Sequence, residues 1–181
     1  MSAATHGPCL TNPGIVACVE AERALLSCVL ALPYPDALEL VESLEAQDFT
    51  DPRLQDVLAS SRRILTGGDR PDAVTVLGDL QREGLASAFS ANREAGTYLV
   101  DLAAAAPSVG SWGHYRRIVV ESTWRRRVQQ AGERLLQAAG QSALDDLEQL
   151  VAAEVVDLRD CSMRWRASYG APPAVPLAVA G

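Results

Sequence analysis

The feature that most constrains this chain is the spacing of its apolar residues, which recur three or four positions apart in segments that end at proline or glycine. Such spacing lines one face of a helix, whereas a half-buried strand needs alternating apolar and polar residues. The first segment carries Leu25, Leu26, Val29 and Leu30 and ends at Pro33. Aromatic residues, which favour strands, make up only 5% of the chain. We therefore predict an all-α fold, a compact helical bundle followed by a long helical hairpin.

Short local signals place the helix boundaries within the bundle. Asp51 and Pro52 predict a helix start, because the carboxylate accepts free backbone N–H groups and proline loses no hydrogen bond at the first helical position. Thr75 is the predicted cap of the following helix. The other predicted starts and stops are Pro35, Gly67–Gly68, Gly84 and Pro107.

Beyond Pro107 the apolar pattern runs through two long segments. Ser111 is the predicted cap of a helix that continues to about Gly140, and Ser142 of a helix that ends near Asp160. A hairpin of two such helices has little core of its own, so its apolar seam must meet the globular part or another subunit. The candidate self-assembly interface consists of Trp124, Val128, Leu135, Leu144, Leu147, Val151 and Val155.

These patterns predict four parts of the chain. The first residues are rich in glycine, proline, threonine and asparagine, and the last contain several prolines, so neither end is expected to pack. The predicted parts are a flexible N-terminal arm at 1–18, a globular helical bundle at 19–109, the hairpin at 110–160 and a disordered tail at 161–181.

The composition excludes several classes of function. All 16 basic residues are arginine, so the chain has no lysine for a nucleotide phosphate-binding loop or a Schiff base. The four cysteines form no C-x-x-C pair and there are two histidines, which is poor metal-site spacing. Neighbouring acids, such as Asp145 with Asp146 and Glu20 with Glu22, indicate solvated helix faces. We expect no cofactor, no metal and no catalytic residue, and no segment that spans a membrane.

One basic cluster stands out in a chain whose formal net charge is −7. Any contact with DNA must therefore be local. Consecutive arginines on a helix point about 100° apart, so they do not form one flat patch. Either they are solvated or paired with Asp145, Asp146 and Glu148, or they contact phosphates or a partner. The candidate contacts are Arg116, Arg117, Arg125, Arg126 and Arg127.

The order and spacing of several short elements resemble a known family. They are Glu20-Ala21-Glu22 with Leu25 and Leu30, Asp48-Phe49, Asp72 to Val76, Tyr98-Leu99, Pro107-Ser108, Tyr115, Ile118-Val119, Glu121, Arg126-Arg127 and Ala131-Gly132. Together they resemble the N-terminal domain of DnaB-type hexameric replicative helicases, from about Val19 to Arg159. The chain departs from the family pattern at Leu54, Glu94-Ala95 and Ser111, and it has no room for the RecA-like ATPase domain that follows in the family.

The resemblance implies a role in DNA replication. In the family this domain forms a collar, in which hairpins pair into dimers, the dimers form a trimeric ring, and primase docks. It implies a cytoplasmic homo-oligomer, a dimer or a ring of dimers, whose partners are primase, a helicase loader or a full-length helicase, and which is no enzyme by itself. The alternative is a small regulatory or nucleic-acid-binding protein that uses the arginine cluster. Whether the arginines touch DNA stays open from the sequence.

Overall fold

The computed structural model describes residues 13–84, 88–105 and 108–169, with side chains described from Cys18 onward. These residues form α-helices, two short 3-10 turns and connecting turns, with no strand among them, which confirms the predicted all-α fold. The helices are α1 (Pro13–Ala31), α2 (Tyr34–Glu42), α3 (Pro52–Thr66), α4 (Ala73–Arg82), α5 (Asn92–Ala104), α6 (Trp112–Ala139) and α7 (Leu144–Ser168).

Two helix ends differ from the predicted boundaries. Helix α1 begins at Pro13, inside the predicted arm, because proline is well suited to the first helical turn. Helix α7 continues past Asp160 to Ser168, because Cys161 and Trp165 keep the helical spacing of apolar residues, and Cys161 is buried. The rest of the predicted arm, 1–12, and the tail from 170 lie outside the described residues.

The helix caps show which local signals are reliable. Asp51 caps α3 as predicted, and its carboxylate accepts the Arg53 backbone N–H at 2.9 Å. The predicted Thr75 cap is wrong, because Asp72 occupies the cap of α4 and accepts the N–H groups of Val74 and Thr75, both at 2.8 Å. Thr75 instead closes the reciprocal bond of a capping box, since its hydroxyl accepts the Asp72 N–H. Ser142 is also not a cap, since Ala143 takes that position before α7.

The chain divides into two compact units, Met1–Tyr115 and Arg116–Gly181. In the first unit, α1 contacts α2, α3 and α5, and α4 packs against α3 and α5. Leu25, Leu26 and Val29 of α1 are fully buried, and Phe49 is nearly so. Burial of each such side chain contributes about 1.5–3 kcal/mol to folding, so this face of α1 is a large part of the core of the bundle.

Buried polar groups tie the helices of the first unit together. Glu22 is fully buried, and its Oε2 accepts hydrogen bonds from the Thr50 N–H and hydroxyl, both at 2.8 Å. The prediction that Glu22 lies on a solvated face is therefore wrong, although Glu20 is exposed. Asp79 of α4 accepts hydrogen bonds from the Ser60 hydroxyl at 2.8 Å and the Arg63 guanidinium at 2.6 Å, and so joins α4 to α3.

Candidate interaction surface of the helical hairpin

Two cross-links define how α6 and α7 lie against each other in the second unit. Arg134 donates two hydrogen bonds to Glu154, with N···O distances of 2.5 and 2.7 Å. Arg127 forms an ion pair with Asp157, with an N···O distance of 3.5 Å. As the numbers rise along α6 the partner numbers fall along α7, so the two helices are antiparallel. This is the hairpin that the sequence predicts.

The pair between Arg134 and Glu154 is the stronger of the two links, because two nitrogens of Arg134, Nε and Nη2, donate to the two carboxylate oxygens of Glu154. Glu154 is buried in the hairpin. The hydrogen bonds from Arg134 lower the pKa of Glu154, and the same contact raises the pKa of Arg134. Both groups therefore stay charged at neutral pH, which keeps the helices in this register.

The three consecutive arginines point in three directions, as helical geometry requires. Arg125 pairs with Glu121 one turn earlier at 2.7 Å, Arg126 donates to the Thr123 hydroxyl at 3.3 Å, and Arg127 reaches across to α7. Arg125 and Arg127 do not pair with Asp145, Asp146 or Glu148, so that alternative is wrong for these two arginines. The three acids lie at the start of α7, beside the turn, whereas the arginine triplet lies in the middle of α6. Of the other two candidates, Arg116 is half-buried and Arg117 is exposed.

The seven apolar residues of the predicted interface, which we call the seam, are all accessible. Val128, Leu144, Val151 and Val155 are exposed by 44%, 81%, 42% and 59%. Trp124, Leu135 and Leu147 are half-buried. Contiguous exposed apolar side chains are uncommon on monomeric proteins, and they mark interaction surfaces. A partner for this surface is still a prediction, which the single chain does not test.

Helix geometry places the seam on one side of the hairpin. Val128 follows Arg127, Leu135 follows Arg134 and Val155 follows Glu154, each by one position. One position is a rotation of about 100° away from the neighbouring helix. On antiparallel helices, a rotation of the same sense on each helix turns toward the same side of the pair. Val151 and Leu144 lie four and eleven positions before Val155, so they share its side.

The opposite side of the hairpin is polar. It carries Arg126, Glu133 and Gln137 on α6, and Gln149, Ala153 and Asp160 on α7. Three further exposed apolar residues, Leu136, Val156 and Met163, point away from the neighbouring helix and do not extend the seam. The exposed apolar residues of the seam therefore share one side of the hairpin with the charged residues Glu148 and Arg159, and the opposite side carries mostly polar side chains.

One recess among the described residues bears on whether a small molecule could bind. In the first unit, an open recess of about 560 Å³ is lined by Ala91, Arg93, Glu94, Thr97, Tyr98 and Asp101. Glu94 already accepts hydrogen bonds from Ser90. Across the described ranges, no three histidine, cysteine, aspartate or glutamate side chains are grouped to hold a metal ion. None of the helices described is both long enough and apolar enough to cross a membrane.

The sequence did not indicate the roles of Glu154, Trp165 and Tyr169 in this hairpin, and it placed Arg134 in the basic cluster without identifying its partner. Arg134 and Glu154 form its tightest polar link, and Trp165 with Tyr169 continues α7 into the part of the chain predicted to be disordered. For Arg134, Trp165 and Tyr169 a signal existed in their helical spacing. Arg134 lies seven positions after Arg127 on the same face, and Trp165 and Tyr169 lie four positions apart, which is the spacing of neighbours on a helix.

Comparisons with known proteins agree with this architecture. The family model of the DnaB-like helicase N terminal domain matches residues 16–121. The chain is 31% identical over 147 residues to the replicative DNA helicase DnaB of Mycobacterium leprae (strain TN), a match that covers 79% of this chain and 24% of the helicase. The chain therefore spans well under half of that relative's length.

A solved structure supports the same assignment. The N-terminal domain of DnaB helicase from Mycobacterium tuberculosis matches with a TM-score of 0.66 and 31% identity, over 77% of this chain and 95% of that domain. The family model covers the helical bundle and the start of α6, and it contains the family elements quoted from the sequence up to Glu121, whereas Arg126-Arg127 and Ala131-Gly132 lie beyond it. The resemblance seen in the sequence is confirmed, and the chain belongs to the family of DnaB-like helicase N-terminal domains.

Proposed function

We propose that this protein is a DNA-replication accessory of the helicase-collar type, which assembles with further copies of itself and docks a replication partner. One observation carries the proposal: the seam lies along one side of the hairpin, and none of its seven residues is buried. Apolar burial contributes about 25 cal/mol per Å². A partner that covers the seam would therefore be stabilised by burial of apolar surface that is exposed to water in the single chain.

The shape of the hairpin supports a second copy as the first partner. Two hairpins that meet through equivalent seams form a four-helix arrangement about a two-fold axis, in which each surface faces its own copy. The polar side then stays in water. Dimers of this kind, or a ring of dimers, are the assembly that the collar resemblance implies.

The docking partner is inferred from the family. The M. leprae relative is a replicative DNA helicase, and this supports primase, a helicase loader or a full-length helicase as the second kind of partner. The 181 residues contain no lysine for a phosphate-binding loop, so we infer that motor activity, where it is needed, comes from another polypeptide domain. We place the protein in the cytoplasm, with its replication partners.

A second candidate function rests on the arginine cluster. Arg125 has a side chain that is 76% exposed, and Arg117 is also exposed. A regulatory or nucleic-acid-binding protein would use these groups on phosphates. Arg125 forms an ion pair with Glu121, and Arg127 forms one with Asp157. Because these arginines already have anionic partners, this candidate is weaker than assembly through the seam.

Salt dependence separates the two functions. Sedimentation velocity of the purified chain should show an assembly whose size is the same from about 0.05 to 0.2 M salt, because apolar contacts are not screened. Binding through six to ten phosphate contacts would instead weaken by about 10³–10⁵-fold over the same range. A chain that is monomeric throughout, yet binds nucleic acid with that steep loss, would favour the second candidate and contradict the first.

A further inference from the structure

An apolar stripe on the outer face of α7 lies outside the seam. Val156 and Met163 are exposed by 60% and 53%, and Ala152 and Ala167 are also exposed. Along the chain these four residues are spaced four, seven and four positions apart, which places them within about 60° of one another around the helix. We call them the outer stripe. Because it points about 100° away from the seam, a partner bound to the seam leaves it in water.

The outer stripe is suited to a ligand without charge. Arg159 and Asp160 lie on its two flanks, between Val156 and Met163 along the helix, and both are exposed. A charged group placed on the stripe would lose part of its hydration. The opposite charges on the two flanks also give no net attraction to a partner of one sign. A ligand for this surface is therefore apolar, uncharged and narrow.

The chain continues beyond α7 with a segment of this kind. Residues 170–181, which we call the tail segment, lie outside the described residues, and their sequence contains no charged side chain. Val175, Leu177 and Val179 supply apolar side chains, and three of the twelve residues are proline. Proline fixes its own φ and restricts the residue before it, so ordering this segment costs less entropy than ordering an average one.

The outer stripe lies within reach of the tail segment. Tyr169 is the C-cap of α7, and Gly170 follows it, at the position where glycine often lets a chain turn back. Along the helix axis, Met163 and Val156 lie about 9 and 20 Å before Tyr169. Twelve residues in the extended polyproline II conformation span about 37 Å. A segment that runs back along α7 therefore passes both residues with several of its own to spare.

Tethering favours the tail segment over a separate partner. A segment joined to its binding surface by a few residues has an effective concentration in the millimolar range, about a thousandfold above that of a second copy at micromolar concentration. The expectation that the tail does not pack rests on its composition alone. The outer stripe is a surface that this composition does not reveal.

We propose that residues 170–181 fold back along α7 and cover the outer stripe, with their apolar side chains on Met163 and Val156. The cover removes a second exposed apolar surface from the hairpin, which confines association to the seam. The outer stripe and the seam are separate faces of α7, so the proposal does not depend on self-assembly.

Oxidation of Met163 by hydrogen peroxide measures this cover in the full chain. The only other methionine is Met1, so mass spectrometry of the peptide that carries Met163 gives its rate. The reference is a synthetic peptide with the sequence of residues 160–166. Because oxidation needs access to the sulfur, an uncovered, half-exposed Met163 should react within about twofold of the peptide. Under the tail segment it should react about tenfold more slowly, which corresponds to a stripe covered about 90% of the time.

Substitutions in the tail segment test whether it is the cover. The test variant replaces its three large apolar side chains, Val175→Ser, Leu177→Ser and Val179→Ser. Its Met163 should react within about twofold of the peptide, because the apolar surface that holds the segment is lost. The matched control replaces three alanines of the same segment, Ala174→Ser, Ala178→Ser and Ala180→Ser. Its rate should stay within about twofold of wild type, since little apolar surface is removed.

A substitution on the outer stripe tests the surface itself. Val156→Ser should raise the rate at Met163 by at least about threefold, because the segment loses one of its two main contacts. Leu136→Ser is the control, since Leu136 is exposed by 80% on α6 and is not part of the stripe; it should leave the rate unchanged. Circular dichroism should show the same helix content for every variant.

Three results would overturn the proposal. The first is a wild-type Met163 that reacts as fast as the peptide. The second is slow oxidation that persists when the three large side chains of the tail segment are replaced. The third is slow oxidation that becomes fast on dilution of the protein, whichever tail is present, which would assign the cover to a second copy.

Discussion

Replacement of Glu22 by alanine tests whether its buried carboxylate holds the bundle together. The side chain connects α1 to Thr50, just before α3, through two hydrogen bonds of 2.8 Å to one oxygen, Oε2, and Cys18 donates to the other oxygen at 3.5 Å. Hydrogen bonds to a carboxylate contribute about 1.5–3 kcal/mol each, and Thr50 is near enough to water to recover part of the loss. We therefore expect Glu22→Ala to lower the free energy of unfolding by about 2–4 kcal/mol.

A second variant separates the hydrogen bonds from the charge. Because both Thr50 donors meet the same oxygen, the carbonyl oxygen of glutamine can accept both, and Glu22→Gln should cost about 1 kcal/mol or less. Glu20 is the control, since it is exposed two positions earlier on the same helix, and Glu20→Ala should change stability by less than about 0.5 kcal/mol.

Urea unfolding followed by circular dichroism measures these differences. For a chain of this size, a loss of 2–4 kcal/mol corresponds to a melting temperature lower by roughly 5–15 °C. The reasoning is refuted if Glu22→Ala unfolds within about 1 kcal/mol of wild type. It is also refuted if Glu22→Gln is as unstable as Glu22→Ala, since the loss of stability would then come from the missing charge and not from the missing hydrogen-bond acceptor.

Three further outcomes follow from the structure. Phe49→Ala should cost about 3–5 kcal/mol, because the ring is almost fully buried, and an unchanged melting temperature would show that Phe49 is not part of the core. Burial alone would raise the pKa of Asp79, but hydrogen bonds from Arg63 and Ser60 outweigh it and lower the pKa. The stability that this carboxylate contributes is therefore complete above its unfolded pKa of about 3.9 and falls as the pH drops below that value. In the Asp79→Asn variant the free energy of unfolding should depend less steeply on pH in this range, and a pH dependence equal to that of wild type would contradict the argument. The purified chain should not hydrolyse ATP, because it contains no lysine for a phosphate-binding loop, and turnover that co-purifies with the chain would contradict this.

The parts of the fold that were predictable from the sequence depend on neighbours along the chain. The Asp51 cap of α3, the breaks at proline and glycine and the divergence of the arginine triplet all follow from helix geometry and backbone hydrogen bonding over a few residues. The family resemblance rests on the order of such local elements. The helical spacing of the seam residues was visible for the same reason, and their role as an interface stays a prediction.

The parts that were not predictable depend on residues far apart in the sequence. Glu22 looks like a surface acid until Thr50, far along the chain, is placed beside it. The partners of Arg127 and Arg134 depend on the register of α6 against α7, which no local pattern determines. Tyr169 belongs to the hairpin because Arg117 and Glu121 reach it from the other helix, and a proline-rich sequence beyond it suggested the opposite.

The central claim is that the seam on one side of the hairpin joins copies of this chain, and Val151→Asp tests it most directly. A carboxylate costs several kcal/mol where water is excluded and almost nothing on an exposed surface. Val151 lies on the seam, and Ala153, two positions later, lies on the opposite, polar side of α7, so Ala153→Asp is the control. Light scattering at micromolar concentration should show a dimer or a larger even-numbered assembly for wild type and Ala153→Asp, and a monomer of unchanged helix content for Val151→Asp. A monomeric wild type, or a Val151→Asp variant that remains fully assembled, would contradict the account.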